Sequence, residues 1–354
     1  MTDQWFDAHL DLGMLAEHGR DMHTDLKSCR GRYQPASITL PSLSEGRVKW
    51  TLATIFTEGI DPKDTQAETA PNTYPFGDAL SAYKAGMRQL LLYKAWHEAG
   101  VVKRMPLRGR ADSHEEPGDE DPLRIGILIE CADPIEHPDQ LEQWVELGVV
   151  AIGMAWWHQG RYAGGNGTDH DDPSTGVTEL GKQLVKRMDE LGVVHDASHL
   201  SQRAIEDLFA LTDQPIIASH SNCRALLDDG DNPQWQRHLS DESIKEIARR
   251  GGVIGLNLVR NFIVTGLDPN DPKDRPSISA AIDHVERICD LVGDRDHIGL
   301  GSDMDGGITA DDIPAGINTP SDLELLAQEL SSRGWSDEEI RNFRSGNWLR
   351  FWGW

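Results

Sequence analysis

Eight short runs of apolar and β-branched residues recur along this chain, and helical patterns separate most of them. The runs are QWFDAH, VKWTLATIF, RIGILIE, VVAIGMAW, GVVHDAS, PIIASH, GVIGLNL and HIGLGSD. Between them lie stretches with helical spacing, among them DALSAYKAGMRQLLLYKAWHEAG, TELGKQLVKRMDELG, SQRAIEDLFAL, DESIKEIARRG and SAAIDHVERICDLVG. Ser240-Asp241 opens one of these, and Gly192, Gly251 and Gly293 stand where others stop. Strands that alternate with helices pair in parallel, because a parallel crossover needs a connection long enough to hold a helix. Eight of them predict an α/β chain folded as a (β/α)8 TIM barrel with extra C-terminal helices. A doubly wound open sheet shares the same alternation and is the rival.

The 354 residues fit one such barrel, so a single domain is expected over 1–354. The charged, Pro- and Gly-rich segment 106–122 reads as a solvated loop insertion, and 58–76 as a loop placed to cover one mouth of the barrel. After the last strand, SDLELLAQELSSRG and SDEEIRNFRSGNWLRFW read as closing helices, each opened by Ser-Asp.

A formal net charge of −25 argues against nucleic acid and anionic membrane surfaces as partners. Cys29, Cys131, Cys223 and Cys289 are scattered without a CxxC pair, which predicts reduced thiols and no zinc ribbon. With no basic–apolar leader and no long apolar run, the expected setting is cytoplasmic.

Barrel enzymes build their sites at the C-terminal ends of the strands. His9 and Asp11 alternate with Ala8, Leu10 and Leu12 and so share one face of the first strand. The third strand ends at Glu130, the fifth at His199, the sixth at His220, and the eighth at Asp303 and Asp305. Five strands thus bring imidazoles or carboxylates to one rim. Singly, these residues have ordinary readings: a polar strand face, a helix cap, a core histidine. His195 lies within its strand and reads as structural, and His18, His23, His97, His114, His137 and His170 fall in helix or loop contexts without a role. Jointly, the set has the composition of a two-metal hydrolytic site. Imidazole and carboxylate suit Zn2+, whereas Mg2+ or Ca2+ would be held by oxygens. Two such ions lower the pKa of a shared water from about 15.7 towards neutrality, and a spare carboxylate can move its proton.

In this order DAHLDL, IGILIE, DASHLS, PIIASHSNCRAL and IGLGSDMDG resemble the membrane dipeptidase (renal dipeptidase, peptidase M19) family of the amidohydrolase superfamily. The resemblance runs nearly the whole length, down to GNWLRFW. It implies a (β/α)8 barrel with two Zn2+ ions per chain, or other divalent transition metals, and cleavage of dipeptides that include those with a C-terminal D-residue. It implies His9 and Asp11 on one ion, Glu130 bridging, His199 and His220 on the second, and Asp303 as the acid/base beside the bridging hydroxide. Arg237, in WQRHLSDE, matches the Arg that holds the substrate carboxylate; Arg224 is the second candidate. Members are often dimers, so a homodimer is a further expectation. One departure stands out: Trp156 occupies the place of a family histidine that contacts the scissile carbonyl, with His158 two residues on as the alternative. An indole N–H donates one hydrogen bond but carries no charge, which puts oxyanion stabilisation mainly on the metal. A hydrolase for N-acyl amino acids, lactones or another non-dipeptide substrate is therefore the rival activity. A non-catalytic metal-binding barrel is the rival from another class.

Overall fold

Each of the eight apolar runs forms a strand. The structure, a computed structural model, describes residues 3–61, 63, 69–111, 116–169, 171–227 and 235–354. The strands in chain order are β1 Trp5–Leu10, β2 Val48–Ile55, β3 Glu58–Ile60, β4 Thr73–Pro75, β5 Val102–Arg104, β6 Leu123–Ile129, β7 Val149–Gly153, β8 Val194–Asp196, β9 Ile216–Ile217, β10 Ile254–Leu256 and β11 Ile298–Leu300. The main sheet is parallel, in the order β10-β11-β1-β2-β6-β7-β8-β9. A parallel bridge from Ala218 to Ile254 joins its two ends and closes the ring. The fold is the (β/α)8 barrel, and closure removes the open sheet as a rival.

Helices form where the sequence marks them: Ala79–Glu98, Glu179–Leu191, Gln202–Leu211, Asp241–Arg249 and Ile278–Val292. Asp78, Thr178, Ser201, Ser240 and Ser277 cap them, each accepting a backbone N–H three residues on. Gly192 and Gly293 end two helices in the left-handed conformation that a Cβ disfavours.

Three expectations change. Residues 58–76 are more than a loop, because β3 and β4 pair in parallel within them; residues 62 and 64–68 lie outside the described set. A short strand, β5, pairs with β6 just before the charged insertion, of which 112–115 lie outside the described residues. Of the two closing segments, Ser336 caps its helix, but the first begins at Pro320 behind a Thr319–Asp322 capping box, not at Ser321. His114 and His170 also fall outside the described residues.

The aromatic C-terminus packs on the side of the barrel opposite the site. Asn347 donates to the carbonyls of Arg295 and Ile298 at the start of β11. Phe6 of β1 is stacked between Trp348 and Trp354, with ring centroids 5.7 Å from each. The four cysteines are buried and unbridged. Among the described residues no helix is long and apolar enough to cross a membrane.

Candidate active site

Of the seven residues predicted from strand ends, all but Asp305 meet at one rim. His9 lies inside β1, whereas Asp11 follows it and opens the short helix Leu12–Glu17. Glu130 follows β6, His199 stands three residues past β8, His220 three past β9 and Asp303 three past β11. All six are buried. His9 Nε2 lies 3.6 Å from Glu130 Oε2 and 4.0 Å from Asp11 Oδ2. Glu130 Oε1 lies 3.2 Å from His199 Nε2 and 3.7 Å from His220 Nε2. Among the described residues, two groups have ligand atoms close enough to share an ion: His9, Glu130 and His220, and His9, Asp11 and Asp303.

The imidazole protons test whether a cation fits. His199 Nδ1 lies 2.9 Å from Asn166 Oδ1, an oxygen that can only accept. Ser219 Oγ gives its hydrogen to Asp196 Oδ2 at 2.5 Å, so at 2.8 Å it accepts from His220 Nδ1. Both rings then carry their proton on Nδ1 and turn an Nε2 lone pair inward, although these atoms are 2.9 Å apart. Two lone pairs at that separation repel unless a cation sits with them. Protonating a ring would not serve, because burial and the Arg237 charge hold both imidazoles well below their ordinary pKa. The third inward nitrogen, His9 Nε2, is buried without a hydrogen-bond partner.

The carboxylates tell the same story from the other sign. Burial pushes Glu130 up to about 8, Asp303 to about 7 and Asp11 to about 6. Carboxyls that crowd and dry one another in this way gain from a cation in their midst. The donor set therefore fits divalent transition metal.

Further residues, invisible to the strand-end argument, orient these groups. Asn257 Nδ2 donates to Asp303 Oδ2 at 3.0 Å, and the Thr54 hydroxyl donates to Asp11. His199 and Asp303 adopt positive φ, +67° and +60°, a left-handed conformation that costs non-glycine residues energy and recurs at functional sites. Asp305 turns away from the site: it pairs with buried Arg20 and accepts the backbone N–H of Ser37 and Ile38.

A cavity of about 320 Å³ opens on Asp11, Glu130, His199 and Asp303. Its walls include Phe56, Trp156 and Phe262, with His18, Arg32, Glu58 and Asn72 as polar members. Trp156 meets Phe56 edge-on at 5.1 Å and lies 5.9 Å from the His199 ring. His158 instead packs on Phe76 at 4.9 Å and is not among the residues lining this cavity, so Trp156 is the one that faces it. His18, given no role from the sequence, stands in the wall, 2.8 Å from Asn72 Oδ1. Arg237 is 3% exposed and is not among the lining residues. Its Nη2 donates to the His220 carbonyl at 2.8 Å and its Nη1 to Ser221 Oγ at 3.2 Å, while its Nε has no partner. Arg224 turns away towards Gln202 and the Trp235 and His238 carbonyls.

A Klebsiella pneumoniae protein encoded in the pqqA 5′ region, itself uncharacterised, is 31% identical over 213 residues, 59% of this chain and 73% of that protein. The dipeptidase verJ of Clonostachys rogersoniana is 29% identical over 214 residues, covering 60% of this chain and half of its own length. Crystal structures that share the fold at a TM-score of 0.76 include two with close coverage of the whole chain. One is the probable dipeptidase PvdM of Pseudomonas aeruginosa, 22% identical over 99% of this chain and 94% of that one. The other is a Rhodobacter sphaeroides metallopeptidase liganded with a phosphinate mimic of L-Ala-D-Ala, 24% identical over 100% and 99%. The model of the membrane dipeptidase family matches residues 2–354, and on that full-length match the chain belongs to peptidase family M19.

Proposed function

We propose that this chain is a metal-dependent hydrolase of dipeptides, including those with a C-terminal D-residue, working with two Zn2+ ions. The observation that carries the reading is the convergence of the Nε2 atoms of His9, His199 and His220 with three raised carboxyls beside one cavity. His9 and Asp11 would hold one ion, His199 and His220 the other, and Glu130 both. Bound there, the ions supply Lewis-acid activation of water and of the scissile carbonyl.

The chain's own residues do the rest. Asp303 uses Oδ1, the oxygen that Asn257 leaves free, to accept the water proton and return it to the leaving amine. Arg237 would anchor the substrate carboxylate, as the resemblance implies: it lies behind the wall, over the Phe262 ring, with its Nε unpartnered, and a planar guanidinium suits a carboxylate. Trp156 excludes water and borders the acyl half of the substrate.

Trp156 also keeps a second reading open, in which the favoured substrate is an N-acyl amino acid, a lactone or another small non-dipeptide. Metal analysis together with turnover of L,L-, L,D- and N-acyl substrates on one preparation tests both. Two equivalents of zinc and chelator-sensitive dipeptide cleavage are expected. Protein without stoichiometric metal, or inert towards every substrate, overturns the proposal.

A further inference from the structure

Among the described residues, Glu58 is the one carboxylate in the cavity wall that neither the metal cluster nor the proton transfer uses. It opens β3, and the pairing of β3 with β4 fixes its backbone, with the Glu58 N–H donating to the Asn72 carbonyl at 3.0 Å. Its side chain is half-buried. Among the described residues, no hydrogen bond or ion pair reaches that side chain, although His18 and Arg32 share the wall. A carboxylate drawn out of water without a partner is costly, and burial raises its pKa accordingly. A wall serving only to shape the cavity would gain from an amide or an apolar group at this position.

The aromatic part of the wall suits a positive guest, although Arg32 adds one positive charge elsewhere in it. Phe56, Trp156 and Phe262 line the same cavity, and aromatic faces attract cations. The chain as a whole carries −25, so its field draws cations towards its surface.

We propose that Glu58 binds an ammonium group on the acyl half of the substrate, so that the enzyme selects free or basic amino-terminal residues over blocked ones. The proposal rests on the amide-hydrolase reading above and adds to it a residue that sets specificity. The ammonium can be the substrate's α-amino group or a lysine side chain; both offer the same charge and hydrogen-bond donors.

Three substrates sharing one leaving residue distinguish the sources: an alanyl dipeptide, its N-acetyl form and the N-acetyl-lysyl form. They would be assayed with metal-loaded wild type and Glu58→Gln, which keeps the shape of the side chain and removes its charge. KM is expected to rise about tenfold, with kcat little changed, for the substrate whose ammonium meets Glu58, and to stay the same for N-acetyl-alanyl. A penalty on the alanyl substrate identifies the α-amino group; one on N-acetyl-lysyl identifies the side chain. Equal effects on all three, or none on any, overturn the Glu58 assignment while leaving the hydrolase reading intact. Wild type without turnover on any of them overturns the hydrolase reading and this proposal with it.

Discussion

Asn257 Nδ2 lies 3.0 Å from Asp303 Oδ2, and the contact fixes which oxygen of that carboxyl is free. The amide cannot flip, because Asn257 Oδ1 accepts the Val259 N–H at 2.7 Å. Asp303 is further held by its positive φ and by Gly306, whose place allows no Cβ: one there would lie 1.9 Å from Asp303 Oδ1. Replacing Asn257 with Ala is expected to lower kcat about tenfold to a hundredfold, the scale of one hydrogen bond to a charged group, with metal content unchanged. Loss of metal with normal turnover per bound ion would show that Asn257 serves the ligands instead.

Asp303→Asn tests the proton transfer itself. The variant keeps volume and hydrogen-bonding capacity but loses the basic oxygen, so metal content should hold while kcat drops about a thousandfold. Metal analysis and steady-state rates on one sample decide, and normal hydrolysis would remove Asp303 from the mechanism.

Chelation should make stability depend on pH in a direction the site dictates. Glu130 and Asp303, pushed up by burial to about 8 and about 7, keep protons in the metal-free native state that the unfolded chain releases near pH 4. A raised carboxyl contributes most below its unfolded value, and the contribution is lost as pH climbs through the folded one. His199 and His220, lowered by burial, act in the opposite sense but are spent above their unfolded value of about 6.5. The Tm of chelated protein should therefore fall between about pH 6.5 and 8, and added Zn2+ should restore most at the upper end. Calorimetry that finds a flat or rising Tm would contradict this account.

The sequence made the barrel legible because buried parallel strands are continuous apolar runs, and VKWTLATI and LRIGILI could hardly be anything else. It missed β3, β4 and β5, each three residues long and too short to show a period. The candidate ligands were legible as chemistry at strand ends. Their supports were not, since Asn166 and Ser219 are ordinary polar residues until folding sets one beside His199 and the other between Asp196 and His220. His18 was missed for the same reason: its place in the wall depends on Asn72, 54 residues away.

Trp156→His is expected to shift the enzyme towards ordinary dipeptides. The indole faces the cavity 5.9 Å from His199, where an imidazole could donate to the developing oxyanion. Dipeptide kcat should rise about tenfold relative to N-acyl substrates, a fraction of what a well-placed oxyanion donor supplies. An unchanged ratio would mean that Trp156 does not govern the choice.

Gly301→Ala should link fold and site most directly. A Cβ at Gly301 would lie 1.8 Å from the Ser219 carbonyl oxygen, and one at Gly255 would lie 1.9 Å from the same atom. Backbone packed this tightly cannot yield as a flexible side chain would, so the methyl must push Ser219 aside. Ser219 stands between Asp196 and His220 Nδ1, which makes the displacement a rotation of the His220 ring as well as a loss of packing. The variant is expected to lose about 1–3 kcal/mol of stability, as overpacking typically costs, and to bind Zn2+ more weakly well below its Tm. Its paired control is Gly126→Ala, where the obstruction is the side chains of Trp354 and Val150, 2.6 and 2.8 Å away and remote from the metal-binding residues. That change should lower Tm and leave zinc affinity alone. Equal zinc affinity in the two variants would show that the Ser219 contact carries stability without orienting the imidazole.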